Sequence, residues 1–172
     1  FMKKMADMTE VSQVSEEDHD KDADYFWKNV RSPQNVSFYE VNGLFFYGAA
    51  SKFIRTISQR ETKEQILIIK MEGVPFMDAT AFDSFDKLLD TCMKKKIKII
   101  LLKIQPQPYQ LMEQFGFLPK FGLENICSTT GEAIARANSV LLEKGIISKH
   151  EHHGHPEADQ QQKDEGQKDG DQ

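Results

Sequence analysis

The sequence predicts an α/β domain built on a small mixed β-sheet of about five strands, and three observations predict it. Residues 65–71, QILIIKM, form a compact Ile-rich run closed by Glu72, Gly73 and Pro75, the pattern of an interior strand with an abrupt stop. Residues 97–104 form a second apolar run. Between them Ala81, Phe82, Phe85, Leu88, Leu89 and Cys92 recur at steps of three and four, which is one helical face. A right-handed crossover through that helix makes the two strands parallel.

The remaining elements follow in chain order. Residues 36–41 and 44–47 are β-rich runs joined by Asn42-Gly43, a turn pair that tolerates positive φ and predicts an edge hairpin. Residues 49–57 place Ala49, Phe53 and Ile57 on one helical face, and residues 58–64 return the chain to the central strand. Asp78 stands where its carboxylate accepts from the N–H of Thr80 or Ala81, so the long helix starts there, with Ala79–Ala81 as its first turn. Lys94–Lys96 end it with charge that suits the helix dipole. An anionic-lipid patch is the rival reading of these lysines, which form a smaller cluster than lipid recognition usually shows.

Pro106 and Pro108 open a short helix over residues 109–115, ended by Gly116 with Phe117 folding back. Residues 125–127 form a last short strand. Thr129 and Glu132 have capping-box spacing before a helix with Ala133, Ile134, Ala137, Val140 and Leu141 inward and Gly145 as its stop.

The flanks read differently. Residues 1–8 set Phe1, Met5 and Met8 along one side of a short helix beside Lys3 and Lys4, as where a membrane helix emerges on its positive side, with a frayed terminus as the plain alternative. A first residue of Phe rather than Met fits a piece of something longer. Residues 14–24 have the composition of a solvated acidic linker. Asp18, Asp20, Asp22 and Asp24 imitate calcium-loop spacing, but Ala23 and Asn29 occupy the positions that need Gly and Glu. After Lys149 the chain is low in complexity, and its His-rich stretch fails HExxH because Gly154 stands at the last His. These signals divide the chain into a linker over residues 1–34, a folded domain over residues 35–147 and a disordered tail over residues 148–172.

The chain has 172 residues, a net charge of −5 and 28% charged residues. That acidic balance argues against a nucleic acid partner, which needs a basic surface. No run approaches the roughly 20 apolar residues of a membrane-spanning helix. Cys92 and Cys127 are isolated in apolar patterns and read as reduced core residues. No GxGxxG, Walker loop, CxxC or nucleophile elbow occurs, and no His lies between Asn35 and Lys149. An enzyme is not expected, and neither a cofactor nor a metal site.

The hydroxyl with a special address is that of Thr80. At a helix tip, exposed N–H groups and the dipole favour an added phosphate by roughly 0.3–1 kcal/mol. Ser and Thr are also common at helix starts as simple caps, and Glu72, Asp83 and Asp86 crowd the place with negative charge.

The segment VPFMDATAFDSFDKLL, residues 74–89, between its two strands resembles the core of a STAS domain, the module shared by anti-sigma-factor antagonists and SulP-family anion transporters. NGLFFYGAASKF and KIQPQPYQLMEQFGF are similar to SulP segments, so the likeness covers residues 36–147. It implies the STAS-like fold of the antagonists, with helices packed mainly on one face of the sheet. By motif alignment Thr80 takes the place of the antagonists' phosphoacceptor Ser, while Ala79 and Ala81 replace the neighbouring Ser and Gly. Phe76, Met77, Asp78, Ala79 and Ala81 become the loop and helix-tip interaction residues. The resemblance implies the cytoplasmic regulatory and assembly domain of a bacterial anion transporter, sulfate among its substrates, with the transporter's own transmembrane domain as partner. A homodimer, and acyl carrier protein or a nucleotide, are further partners it suggests. The alternative is a free-standing phosphoswitch with Thr80 as acceptor.

Overall fold

A computed structural model describes residues 9–13, 21–43 and 63–149, together with residues 51, 52, 54, 55, 57 and 59. The expected helix at residues 1–8, the strand at 44–47 and the tail from His150 onward lie outside the described residues.

Among the described residues five strands form one sheet in the order β1 (Thr9–Gln13), β2 (Val36–Gly43), β3 (Ile66–Gly73), β4 (Lys98–Leu102) and β5 (Ile126–Cys127). β1 is antiparallel to β2, and every later pair is parallel. The sheet is therefore mixed and five-stranded, as expected. β2 is not an edge strand, however. Its antiparallel neighbour is β1, with Thr9 opposite Gly43 and Gln13 opposite Tyr39, while β3 occupies its other side. A polar, weakly patterned stretch such as TEVSQ shows little periodicity of its own and joins the sheet because β2 presents an open row of backbone donors and acceptors.

The continuously described α-helices are α1 (Lys21–Asn29), α2 (Ala79–Lys94), α3 (Pro106–Gln114), α4 (Phe117–Phe121) and α5 (Thr130–Glu143), and residues 51, 52, 54, 55, 57 and 59 are helical as well. They cover both faces. Leu67, Ile69, Met71, Ile99 and Leu101 pack with Ala81, Phe85, Leu88 and Cys92 of α2 and with Met112, Phe117 and Phe121 of α3 and α4. Val36, Phe38, Ile66, Ile68, Ile100 and Leu102 pack on the other side with Ala23 and Phe26 of α1 and with Ala133, Ala137, Val140 and Leu141 of α5. A strand apolar at every position must be covered twice, and full burial of each large side chain contributes about 1.5–3 kcal/mol.

Local signals explain the boundaries. α5 begins as its spacing predicts: the Thr129 hydroxyl accepts from the Glu132 N–H at 3.2 Å, and the Glu132 carboxylate accepts from the Ser128 N–H at 2.8 Å. Gly145, with φ 72°, follows it. Both prolines sit in the first turn of α3, where no N–H is required of them. Gly73 has a different reason to be glycine. It pairs with Asn42 across a register shift, and a Cβ there would lie 1.9 Å from Asn42 Oδ1.

Candidate functional site

The parallel strands β2, β3 and β4 end on one side of the sheet, where open α/β sheets gather their functional loops. The β3–α2 loop leaves there, and Thr9 enters there because it pairs with Gly43 at the end of β2. Asp78 caps α2, its Oδ1 accepting from the Ala81 N–H at 2.7 Å. Thr80, in the first turn, is exposed and is not the cap.

The six residues singled out from the sequence divide into surface and core. Phe76, at 42% exposure, and Ala79 and Thr80 face solvent. Asp78 is half-buried, whereas Met77 and Ala81 are fully buried and hold the loop to the core instead of presenting a contact surface. Alternating apolar and polar residues in a loop leave only part of it outward, and the sequence does not reveal which part.

The loop is rigidly held by residues that sequence reasoning passed over. The Met77 N–H donates to Gln107 Oε1 at 2.8 Å, and Gln107 Nε2 donates to the Met77 carbonyl at 3.0 Å. Gln105 Nε2 donates to the Glu72 carbonyl. Two glutamines flanking Pro106 thus tie the start of α3 to the end of β3 and to Met77 in the β3–α2 loop, giving these backbone groups hydrogen-bond partners. The available signal was the Gln-Pro-Gln-Pro run itself.

The carboxylates expected to repel a phosphate are each paired. Asp83 lies 3.1 Å from Lys87, Asp86 lies 2.9 Å from Lys120, and Glu72 lies 3.6 Å from Lys70. Pairing lowers the field they present at Thr80.

A second unforeseen cluster lies at the same end, on the α1/α5 face. Lys70, in the middle of the apolar run of β3, points into it with a side chain only 8% exposed. Asp22 Oδ2 meets Lys70 Nζ at 3.0 Å and Lys103 Nζ at 2.8 Å, and its Oδ1 accepts from the Thr130 hydroxyl at 3.0 Å. The residue read as part of a solvated linker is thus the ionic anchor of α1. Burial pushes its carboxyl up, but hydrogen bonds from Lys103, Lys70 and Thr130 together outweigh burial and hold it down at about 2. Lys103 is left-handed, φ 55°, a conformation costing a non-glycine residue roughly 1–2 kcal/mol.

At the opposite end of the sheet, Lys94, Lys95 and Lys96 are exposed next to Lys98, which begins β4 opposite Ile66. Eight-residue β3 separates them from the Thr80 end by about 25 Å at roughly 3.3 Å per residue. Cys92 and Cys127 are unpaired and buried, and burial raises both thiols to about 11, so neither is a ready nucleophile.

Known proteins share this fold. The family model "STAS domain" matches residues 28–133, more than half of the chain. The chain belongs to the STAS domain family. This STAS chain is similar to Sulfate transporter 1.1 of Arabidopsis thaliana, with 26% identity over 114 residues, 63% of this chain and 17% of the relative. The solved structure of a sulfate transporter family protein from Wolinella succinogenes superposes with a TM-score of 0.58 at 27% identity, covering 62% of this chain and 88% of that one. The SulP transporter STAS domain from Vibrio cholerae shares the fold, with a TM-score of 0.60 at 24% identity over 74% of this chain and 100% of that one. The STAS chain spans less than a fifth of the length of the curated relatives it matches.

Proposed function

We propose that this STAS chain is the cytoplasmic regulatory and assembly domain of a secondary anion transporter of the sulfate type, working through protein contacts rather than catalysis. The observation that carries this reading is the exposed tip formed by Phe76, Ala79 and Thr80 on a loop that Gln105 and Gln107 hold in place. A rigid tip with an exposed aromatic residue suits a docking surface, because little conformational entropy is lost when it binds. The chain enters the sheet at Thr9, at the same end as this tip, which supports a contact between the tip and a transmembrane partner. The relatives' description as sulfate transporters supports the substrate class. That placement also disfavours a lipid role for Lys94–Lys96, which occupy the far end.

Thr80 is the regulatory position in this reading. Its exposure and its freedom from capping favour modification by a partner kinase, and they equally favour the alternative of a free-standing phosphoswitch. The deciding experiment measures anion uptake by the parent protein carrying wild-type Thr80, Thr80→Ala or Thr80→Asp. Under the transporter reading, Thr80→Ala leaves the fold intact and Thr80→Asp changes uptake by several-fold. Equal uptake in all three removes the switch. A parent with no membrane-embedded part ahead of the domain removes the carrier.

A further inference from the structure

We infer that the lysine cluster at the N-terminal ends of β3 and β4 is a docking surface for the acidic segment of this chain that follows Lys149. Lys96 lies in the turn before β4, and Lys98 is the first residue of that strand. The Lys98 N–H donates to the Gln65 carbonyl at 2.9 Å. Lys144, just past α5, reaches the same place, its ammonium donating to Gln65 Oε1 at 3.2 Å and to the Lys96 carbonyl. Lys94 and Lys96 are exposed, while Lys98 and Lys144 are half-buried. Among the described residues none of these four forms an ion pair with a carboxylate, whereas Lys28, Lys70, Lys87, Lys103 and Lys120 each do. Glu64 and Glu143 are the neighbouring carboxylates in the chain; neither pairs with the cluster, and Glu143 lies 3.5 Å from Arg136. The acceptors on Lys144 are neutral amide oxygens, so its charge stays uncancelled. Burial, and after it the nearby charges of Lys98 and Lys96, hold Lys144 below the usual lysine range. The negative ends of α2 and α5, each equivalent to roughly half a charge, offset only part of this positive field.

The occupant is residues 150–172, which carry seven carboxylate side chains against two lysines when their four histidines are neutral. Charge complementarity is one argument, and the point of departure is the other. Residues 144–149 keep the chain at this end of the sheet. Ile147 packs against the α1/α5 core, and the Ser148 carbonyl accepts from Arg31 Nη2 at 2.7 Å, between α1 and the start of β2. The acidic stretch from Glu157 begins eight residues beyond Lys149, a reach of up to about 27 Å at roughly 3.4 Å per residue. A tethered segment meets its site at an effective concentration on the order of millimolar. Ion pairs of up to about 1 kcal/mol each, screened by salt, are therefore sufficient to hold it. So placed, the segment shields this end of the domain from other polyanions, less so as salt rises. This inference stands whether or not the chain works beneath a transporter.

The test uses the full 172-residue chain with a nitroxide label on Ala158→Cys. Cys92 and Cys127 are buried, with thiols raised to about 11, so the label goes to position 158. Backbone amide resonances are followed in low salt and in about 1 M sodium chloride, where the Debye length is about 3 Å. At low salt the amides of Lys94, Lys96, Lys98 and Lys144 lose most of their intensity while those of Ala79 and Thr80, at the other end, keep theirs. High salt removes the difference. Lys94→Gln/Lys96→Asn/Lys98→Gln abolishes the broadening; Asn suits position 96 because the backbone there is left-handed, φ 59°. Neutralising the segment instead, with Glu157→Gln/Asp159→Asn/Asp164→Asn/Glu165→Gln, also abolishes it and leaves every described element unaltered in sequence, which keeps the test decisive if the lysine variant unfolds. Broadening that is spread evenly, centred on Thr80, or unchanged by salt or by the neutralised segment overturns the contact. So does a cluster that responds to phosphatidylserine vesicles while the label leaves it unbroadened, which makes this face a membrane contact.

Discussion

The side-chain amide of Gln107 binds both backbone groups of Met77, accepting from its N–H at 2.8 Å and donating to its carbonyl at 3.0 Å. Met77, itself in a single β-bridge, thereby has both its N–H and its carbonyl hydrogen-bonded to one side chain, and the loop ahead of α2 is tied to the start of α3. Replacing Gln107 with Ala leaves two half-buried backbone groups short of partners. The expected cost is about 1–3 kcal/mol, read as a lower urea midpoint. Faster hydrogen exchange at the Met77 amide shows that the loss is local.

Asp78 and Thr80 separate capping from signalling. Asp78→Ala removes the 2.7 Å bond to the Ala81 N–H and lowers stability by about 1 kcal/mol. Thr80→Ala changes it by no more than roughly 0.5 kcal/mol, the usual range for an exposed site. A chemical-denaturation series on both variants checks the contrast, and a Thr80→Ala cost equal to that of Asp78→Ala assigns capping to the wrong residue.

Acid stability reports on Asp22. Its folded carboxyl titrates at about 2, below its ordinary 3.8, so the stability it contributes is complete above about pH 5 and is lost as pH falls through 2. The linked free energy is roughly 2 kcal/mol. Asp22→Asn abolishes that part of the slope, and stability measured against pH between about 5 and 2 is flatter for the variant than for wild type.

Gly73 and Asn42 are coupled by contact. Gly73→Ala brings a Cβ against Asn42 Oδ1 and costs about 1–3 kcal/mol by overpacking. Shortening the neighbour in Asn42→Ala/Gly73→Ala recovers part of that loss. A double-mutant cycle with no coupling between the two positions contradicts the close approach.

The sequence by itself determined the central strand–helix–strand unit, the Asp78 cap, the proline-led α3 and the inward face of α5. Each depends on residues a few positions apart, within reach of periodicity and capping rules. The tip was legible to the same extent: the loop and its exposed Thr80 were evident, but the inward turn of Met77 and Ala81 depends on the packed core. Only the tertiary structure decided that Thr9–Gln13 joins the sheet, that α1 covers its second face, and that Gln105 and Gln107 brace the tip. Asp22 shows why. Its partners Lys103 and Thr130 lie 81 and 108 residues away in the chain, and an aspartate in an acidic stretch has the same local pattern whether it is solvated or enclosed between two lysines. Such distant pairings arise from the crossing of strands and helices that side-chain burial drives, and no local spacing encodes them.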